Sequence, residues 1–188
     1  MSVHALALAS AHNFTKTPVS SFILLTGLGV QGDCHSGVLH LIPKEILDEC
    51  GVEPGQIGEN VTTTGVDLLA LGKGTRLHFL PSPSSPYSAP ASSRPLGDDN
   101  EDENGDEDET GMWAPHAVVV IQGLRNPCPQ IDKFREGLKE RLVVRDEARR
   151  IVGRRAGVMG TVEVGGMVTV GMTIVVERAG VFEELKCV

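Results

Sequence analysis

Eight apolar stretches, none longer than eight residues, limit what this chain can fold into: VHALALA, SFILL, ENVTTT, TRLHFL, AVVVIQGL, GVMGTVEV, MVTVG and TIVVE. Each is rich in β-branched residues or alternates apolar with polar side chains, which is the pattern of a strand that buries one face. Turn residues separate them at close intervals. Many short strands with few helices indicate a mainly β barrel or sandwich and not a parallel α/β sheet. Gly165-Gly166, between TVEV and MVTV, predicts a two-residue hairpin, because glycine supplies the positive φ that the favoured hairpin turns require.

Two helices are expected. One begins near Pro43 in IPKEILDECG, where proline suits the first helical position and Gly51 the terminus. The other runs through PQIDKFREGLKERL, where Ile131, Phe134, Leu138 and Leu142 recur at spacings of three and four and form one apolar face to pack on the sheet.

At 188 residues the chain suits one domain, 1–188, with a single core. Residues 81–112 combine proline, serine and acid with almost nothing apolar, so they are expected to form a disordered surface insert between TRLHFL and HAVVVIQGL. This insert holds nine of the 25 acids and one of the 17 bases, so the rest of the chain is close to neutral despite the net charge of −8. Nothing here carries the basic footprint of a nucleic-acid-binding protein. No apolar run approaches the roughly 20 residues of a membrane-spanning helix, and MSVHALALASAHNF has neither the basic start of a secretory signal nor the arginines of a transit peptide. A cytoplasmic location without membrane partners is the expectation.

The four cysteines, Cys34, Cys50, Cys128 and Cys187, show no CxxC spacing and no disulfide framework, so each thiol is weighed alone. Cys128 stands out. In GLRNPCPQIDKF it follows a strand and precedes the second helix, and its flanking prolines place it near the N-cap. There the helix dipole and Arg125 would favour the thiolate, the form that attacks sulfur or binds a soft metal.

The glycine-rich segments GLGVQGDCHSG and GVEPGQIGEN allow backbone N–H groups to converge on an anion, with Asp33 or His35 orienting a ligand or each other. The spacing is neither GxGxxG nor that of a P-loop. Cys34 and His35 are adjacent and would point apart if extended, which disfavours a metal site of Cys34, His35 and Cys50. No GxSxG elbow accompanies Asp33 and His35, so a hydrolase is not favoured. His40, His78 and His116 lie beside apolar stretches and read as structural. Arg154-Arg155 is equally a phosphate-binding fork and a solvated turn.

Taken in order, SAHNFTK, GLGVQGDCHSG, LHLI, PGQIGENVTTTGVDLLALGKGTRLHF, VVIQGLRNPCPQIDKF and RRAGVMGTVEVGGMVTVGMTIVV resemble a single-domain MOSC protein, related to the C-terminal domain of molybdenum cofactor sulfurases. The resemblance covers nearly everything outside the insert. It implies a MOSC-type β-barrel with a few short helices and association with the molybdopterin form of molybdenum cofactor. Members carry sulfur on a cysteine or hold molybdenum through one while reducing N-hydroxylated compounds, and that cysteine falls on Cys128, as the catalytic residue and metal ligand. The polar cofactor-binding positions fall on Asp33, His35, Glu59, Asn60, Arg125 and Asn126, and the basic pair Arg154 and Arg155 is counted with them.

Three readings follow from the resemblance: a molybdenum-dependent oxidoreductase, a sulfur carrier with a persulfide on Cys128, and a non-catalytic remnant domain. The first needs an electron-donor protein, since the chain shows no flavin, haem or iron–sulfur motif; the second needs a sulfur donor. Pyridoxal phosphate serves the full sulfurases in another domain and is not supported by this chain. One departure stands out: relatives carry a longer basic segment after the glycine equivalent to Gly37, whereas Val38 here leads straight into Leu39-His40-Leu41-Ile42.

Overall fold

Thirteen strands and four short helical segments make up residues 1–82 and 116–188, which the computed structural model describes. In chain order the first half comprises β1 (Ser2–Leu8), β2 (Thr17–Val19), β3 (Ser21–Leu25), β4 (Gly29–Val30), β5 (Leu39–Pro43), α1 (Lys44–Cys50), β6 (Val61–Thr64), a 3-10 turn (Leu68–Ala70) and β7 (Arg76–Leu80). The second half comprises β8 (Ala117–Leu124), α2 (Gln130–Phe134), α3 (Leu138–Arg141), β9 (Val143–Arg145), β10 (Ile151–Arg154), β11 (Val158–Val164), β12 (Gly166–Thr169) and β13 (Thr173–Glu177). The expected insert lies outside the described residues, apart from its first two.

Seven strands close a barrel in the order β13-β7-β8-β11-β5-β6-β1, with Ser2 opposite Thr173 completing the ring. Closure removes the open edges that would otherwise template aggregation. Strand pairing in the ring is antiparallel except between β5 and β6, where Leu41 faces Val61 in parallel register. That parallel pair is joined through α1, the kind of crossover such a pair requires. α1 also covers the outer face of β5, which explains why LHLIP is buried at every position while β7 alternates.

Alternating residues fill the interior. Val3, Leu6, Leu39, Leu41, Val61, Leu77, Phe79, Val119, Ile121, Val158 and Ile174 form one buried cluster. A second cluster of Ile42, Ile46, Leu47, Ile57, Ile131, Leu138, Leu142 and Ala156 mounts the helices beside the barrel, with Phe14 and Cys128 packed against it. Truncating a leucine in either would cost about 2–5 kcal/mol.

The mainly β reading therefore holds, and strands 21–25, 117–124 and 173–177 match the apolar stretches residue for residue. Two local expectations do not hold. Gly165-Gly166 is no hairpin: β11 pairs with β5 and β8, whereas β12 leaves to pair with β3, Met167 opposite Ile23. A Cβ on Gly165 would come within 2.8 Å of the Leu24 carbonyl oxygen, so glycine serves a close approach between layers there. The second helix is divided in two, because Gly137 adopts a left-handed φ of 75° between α2 and α3. Gly51 does end α1 in that conformation.

Among the described residues, no helix is long and apolar enough to cross a membrane.

Candidate functional site

One end of the barrel gathers the C-terminal ends of β1 and β8, the start of β5, the residues before β6 and those before β11. A cavity of about 240 Å³ opens there, lined by His12, Phe14, Lys16, His35, His40, Gly58, Asn60 and Arg125 among others.

Its floor is organised by Asp33. Oδ2 accepts hydrogen bonds from Lys16 Nζ at 2.7 Å, Asn60 Nδ2 at 3.0 Å and the Ala9 backbone N–H at 3.2 Å, while Oδ1 accepts from the His35 backbone N–H at 2.9 Å. The Asp33 side chain is fully buried and that of Lys16 only 3% exposed. Burial pushes the Asp33 carboxyl up, but the Lys16 ammonium and the backbone donors outweigh it and hold it below its ordinary value. Asn60 ties the pair to the barrel: its Oδ1 accepts from the His40 backbone N–H and its backbone N–H donates to the His40 carbonyl.

His40 forms part of the wall. Nε2 lies 2.7 Å from the Ala156 carbonyl oxygen, which can only accept, so Nε2 carries the proton. Burial, and then the nearby Arg125 charge, hold the imidazole well below its ordinary pKa, and it is neutral. Nδ1 is left buried with a lone pair and no hydrogen-bond partner among the described residues.

Arg125 follows β8, anchored by its backbone N–H to the Gly157 carbonyl. Burial lowers its guanidinium pKa, opposed by Cys128 and then Glu59. Its Nη1 is buried without a hydrogen-bond partner among the described residues. Glu59 is wholly buried. Its Oε1 takes a hydrogen bond from the Gly55 backbone N–H, its Oε2 has no such partner, and burial raises its pKa above the ordinary glutamate value against the pull of Gly55, its own backbone and Arg125.

Cys128 is half-buried beside this end, not among the side chains that line the cavity. The expected N-cap position falls instead on Pro129, and Cys128 is one residue further out, with its carbonyl accepting from Ile131 N–H and its sulfur 4.0 Å from Gln130 Oε1. The sulfur is thus related to Gln130 and Arg125, and not to open helix N–H groups.

Of the sequence-derived positions, the fold brings His35, Asn60 and Arg125 onto the cavity, with the buried Asp33 beneath Lys16 and Asn60 and the buried Glu59 beside Asn60. Asn126 and Arg154 pair with each other at 3.2 Å, both at the surface. Arg155 reaches Glu49 at 2.6 Å and lines a separate cavity with it, beside α1. Lys16 and His40 are the residues sequence reasoning missed. Lys16 carries no signal beyond its place in SAHNFTK, and His40 reads as structural because a buried histidine and a cavity histidine leave the same apolar neighbourhood in sequence.

Asp33 also overturns the expectation that Cys34 and His35 point apart. The turn closed from His35 N–H to Asp33 Oδ1 folds both side chains to one side, leaving Cys34 Sγ 3.1 Å from His35 Nδ1.

No family model matches the chain, and no curated protein matches it by sequence. Among solved structures it is similar to YuaD from Bacillus subtilis, with 18% identity, 95% of this chain and 96% of that one covered, and a TM-score of 0.60. It is also similar to YiiM from Geobacillus stearothermophilus, with 14% identity, coverage of 96% and 75% and a TM-score of 0.54. YiiM from Escherichia coli aligns with 16% identity, coverage of 97% and 73% and a TM-score of 0.53. At these identities the likeness is one of fold, a MOSC-like barrel.

Proposed function

We propose that this chain is a MOSC domain that binds the molybdopterin form of molybdenum cofactor at the open end of the barrel, with Cys128 supplying a sulfur ligand. The observation that carries the reading is Arg125, a cavity-lining guanidinium whose buried Nη1 has no hydrogen-bond partner among the described residues, next to a half-buried thiol. Leaving such a donor unpaired costs about 1–3 kcal/mol or more for a charged group, a penalty that an anionic oxygen would remove. The donor set suits the group: a guanidinium for a phosphate, a soft sulfur for molybdenum, and a neutral His40 in the wall that adds no competing charge.

In this role Arg125 binds and orients the anionic end, and His40 stays neutral because its burial forbids a second proton. Lys16 and Asp33 cancel each other's charge and, with Asn60, hold the floor rigid, so that Arg125 sets the sign of the cavity. The bound cofactor would supply two-electron chemistry for reducing N-hydroxylated compounds, with electrons from a separate donor protein.

The test is to purify the protein from a host that makes the cofactor and measure molybdenum and pterin per chain. The reading expects both in the wild type, molybdenum lost from Cys128→Ala, and pterin strongly reduced in Arg125→Gln. Wild-type protein free of both, from a host whose other molybdenum enzymes are loaded, would overturn it.

A second reading, a sulfur carrier, is favoured by the position of Cys128 beside the cavity instead of within its lining. It expects a mass increase of one sulfur atom on Cys128 after incubation with a persulfide donor, with no bound metal.

A further inference from the structure

Three soft or borderline donor atoms meet at the rim of the cavity without a role in the reading above. Ligand atoms of His12, Cys34 and His35 all lie within 4.8 Å of one another, and the His12 and His35 rings stand almost perpendicular with centroids 5.4 Å apart. Cys34 Sγ is already 3.1 Å from His35 Nδ1.

We propose that His12, Cys34 and His35 form a binding site for a thiophilic transition-metal ion, zinc(II) in the first instance, with an open fourth position facing the cavity. One thiolate and two imidazoles are a donor set that selects zinc, copper(I) or cobalt(II) over magnesium or calcium. With bonds of about 2.3 Å to sulfur and 2.0–2.1 Å to nitrogen, a tetrahedral ion needs its ligand atoms roughly 3.3–3.7 Å apart. The ligand atoms need only a modest adjustment to reach this: Cys34 Sγ and His35 Nδ1 part slightly, and the exposed His12 swings inward. His12 and His35 both line the cavity, so the site opens on it and not on bulk solvent alone.

The loop that carries Cys34 and His35 is held in place for this. The Cys34 backbone N–H donates to the Ala9 carbonyl at 2.8 Å, and the Gly37 N–H to the Leu28 carbonyl at 2.9 Å. Beneath it the buried Asp33 accepts from the His35 N–H and from Lys16, and lies 3.5 Å from His35 Nδ1. Asp33 fixes the backbone of the turn that carries both ligands, and leaves His35 Nδ1 beside Cys34 Sγ for the ion. Ordering entropy that a floppy Cys34–His35 pair would lose on binding is thus already spent, and only His12 remains to be ordered. Binding ionises the Cys34 thiol, so affinity rises with pH as that proton is released.

The experiment is a titration of reduced, metal-free full-length protein with cobalt(II), followed by displacement with zinc(II). The expected result is one cobalt per chain with tetrahedral d–d absorption and a near-ultraviolet sulfur-to-cobalt charge-transfer band, which zinc abolishes. Cys34→Ser should remove the charge-transfer band, and His12→Ala should weaken zinc binding at least tenfold; both lie in surface loops, and circular dichroism would verify that they fold. Cys128→Ala and Cys187→Ala should leave the spectrum unchanged, and this keeps the result separate from the fate of the cofactor proposal. Absence of the charge-transfer band in the wild type, or a band that follows Cys128 or survives Cys34→Ser, overturns the inference.

Discussion

The ammonium of Lys16 sits 2.7 Å from the carboxylate of Asp33, seventeen residues away, and neither side chain reaches solvent to any real extent. A buried ion pair of this kind is costly to split, because the survivor is left charged and unpaired.

Asp33→Asn is accordingly expected to destabilise the protein by about 3–5 kcal/mol at neutral pH. The native carboxyl lies below its ordinary value, so its contribution is complete above the unfolded aspartate range and disappears as pH falls through the lower, folded value. Urea unfolding of wild type and variant should therefore converge below about pH 4. A gap that stayed constant through that window would show that the charge is not what stabilises the floor.

Glu59 has the opposite sign. Its raised value means that stability is complete below the unfolded glutamate range and is lost as pH rises through the folded one. Glu59→Gln should gain relative to wild type as pH rises above the ordinary glutamate value of about 4.3, read as a difference in urea midpoint at each pH. A flat difference would contradict the assignment.

Gly157→Ala should be among the most damaging small substitutions. The glycine has φ +88°, and an added Cβ would fall 2.2 Å from the Leu41 carbonyl oxygen and 3.0 Å from His40 Nε2. Strain and overpacking together suggest about 2–4 kcal/mol. Gly171→Ala, with the same φ but no atom within 4 Å of the added carbon, should cost about 1–2 kcal/mol. Thermal melts of the two variants would test the difference.

Arg125→Lys keeps the charge and loses the planar fork. If the guanidinium holds an anionic group, cofactor retained per chain should drop about tenfold or more, with little change in unfolding free energy because the native Nη1 makes no hydrogen bond among the described residues. Unchanged retention would remove Arg125 from the site.

What could be read before folding was mainly local. SFILL, AVVVIQGL and TIVVE carry their strand character in their own composition, and the structure reproduces their limits. Partner choice is another matter. Gly165-Gly166 has the chemistry of a tight turn, yet β12 finds β3, more than a hundred residues earlier, because the second layer buries Phe22, Leu24 and Val168 together. Likewise the helical spacing of Ile131, Phe134, Leu138 and Leu142 is real, but three of the four are buried in separate short segments around Gly137, and Phe134 is exposed.

The site shows the same division. Asp33, Asn60 and Arg125 were legible because they sit in distinctive glycine-flanked motifs. The partnership of Asp33 with Lys16 was not, since no local pattern marks a lysine that will be buried by a strand joining it from elsewhere. Nor could spacing reveal that Cys34 and His35 converge, because an Asp side chain bending the backbone reverses the geometry that an extended pair would have.

Phe79 and Ala117 face each other across the β7–β8 ladder, at the end of the barrel opposite Arg125. That rung lies roughly 25 Å from Arg125 along β8 at about 3.3 Å per residue. Crowding that rung would reach the far rim only through the packed interior of the barrel, across a distance no side chain spans.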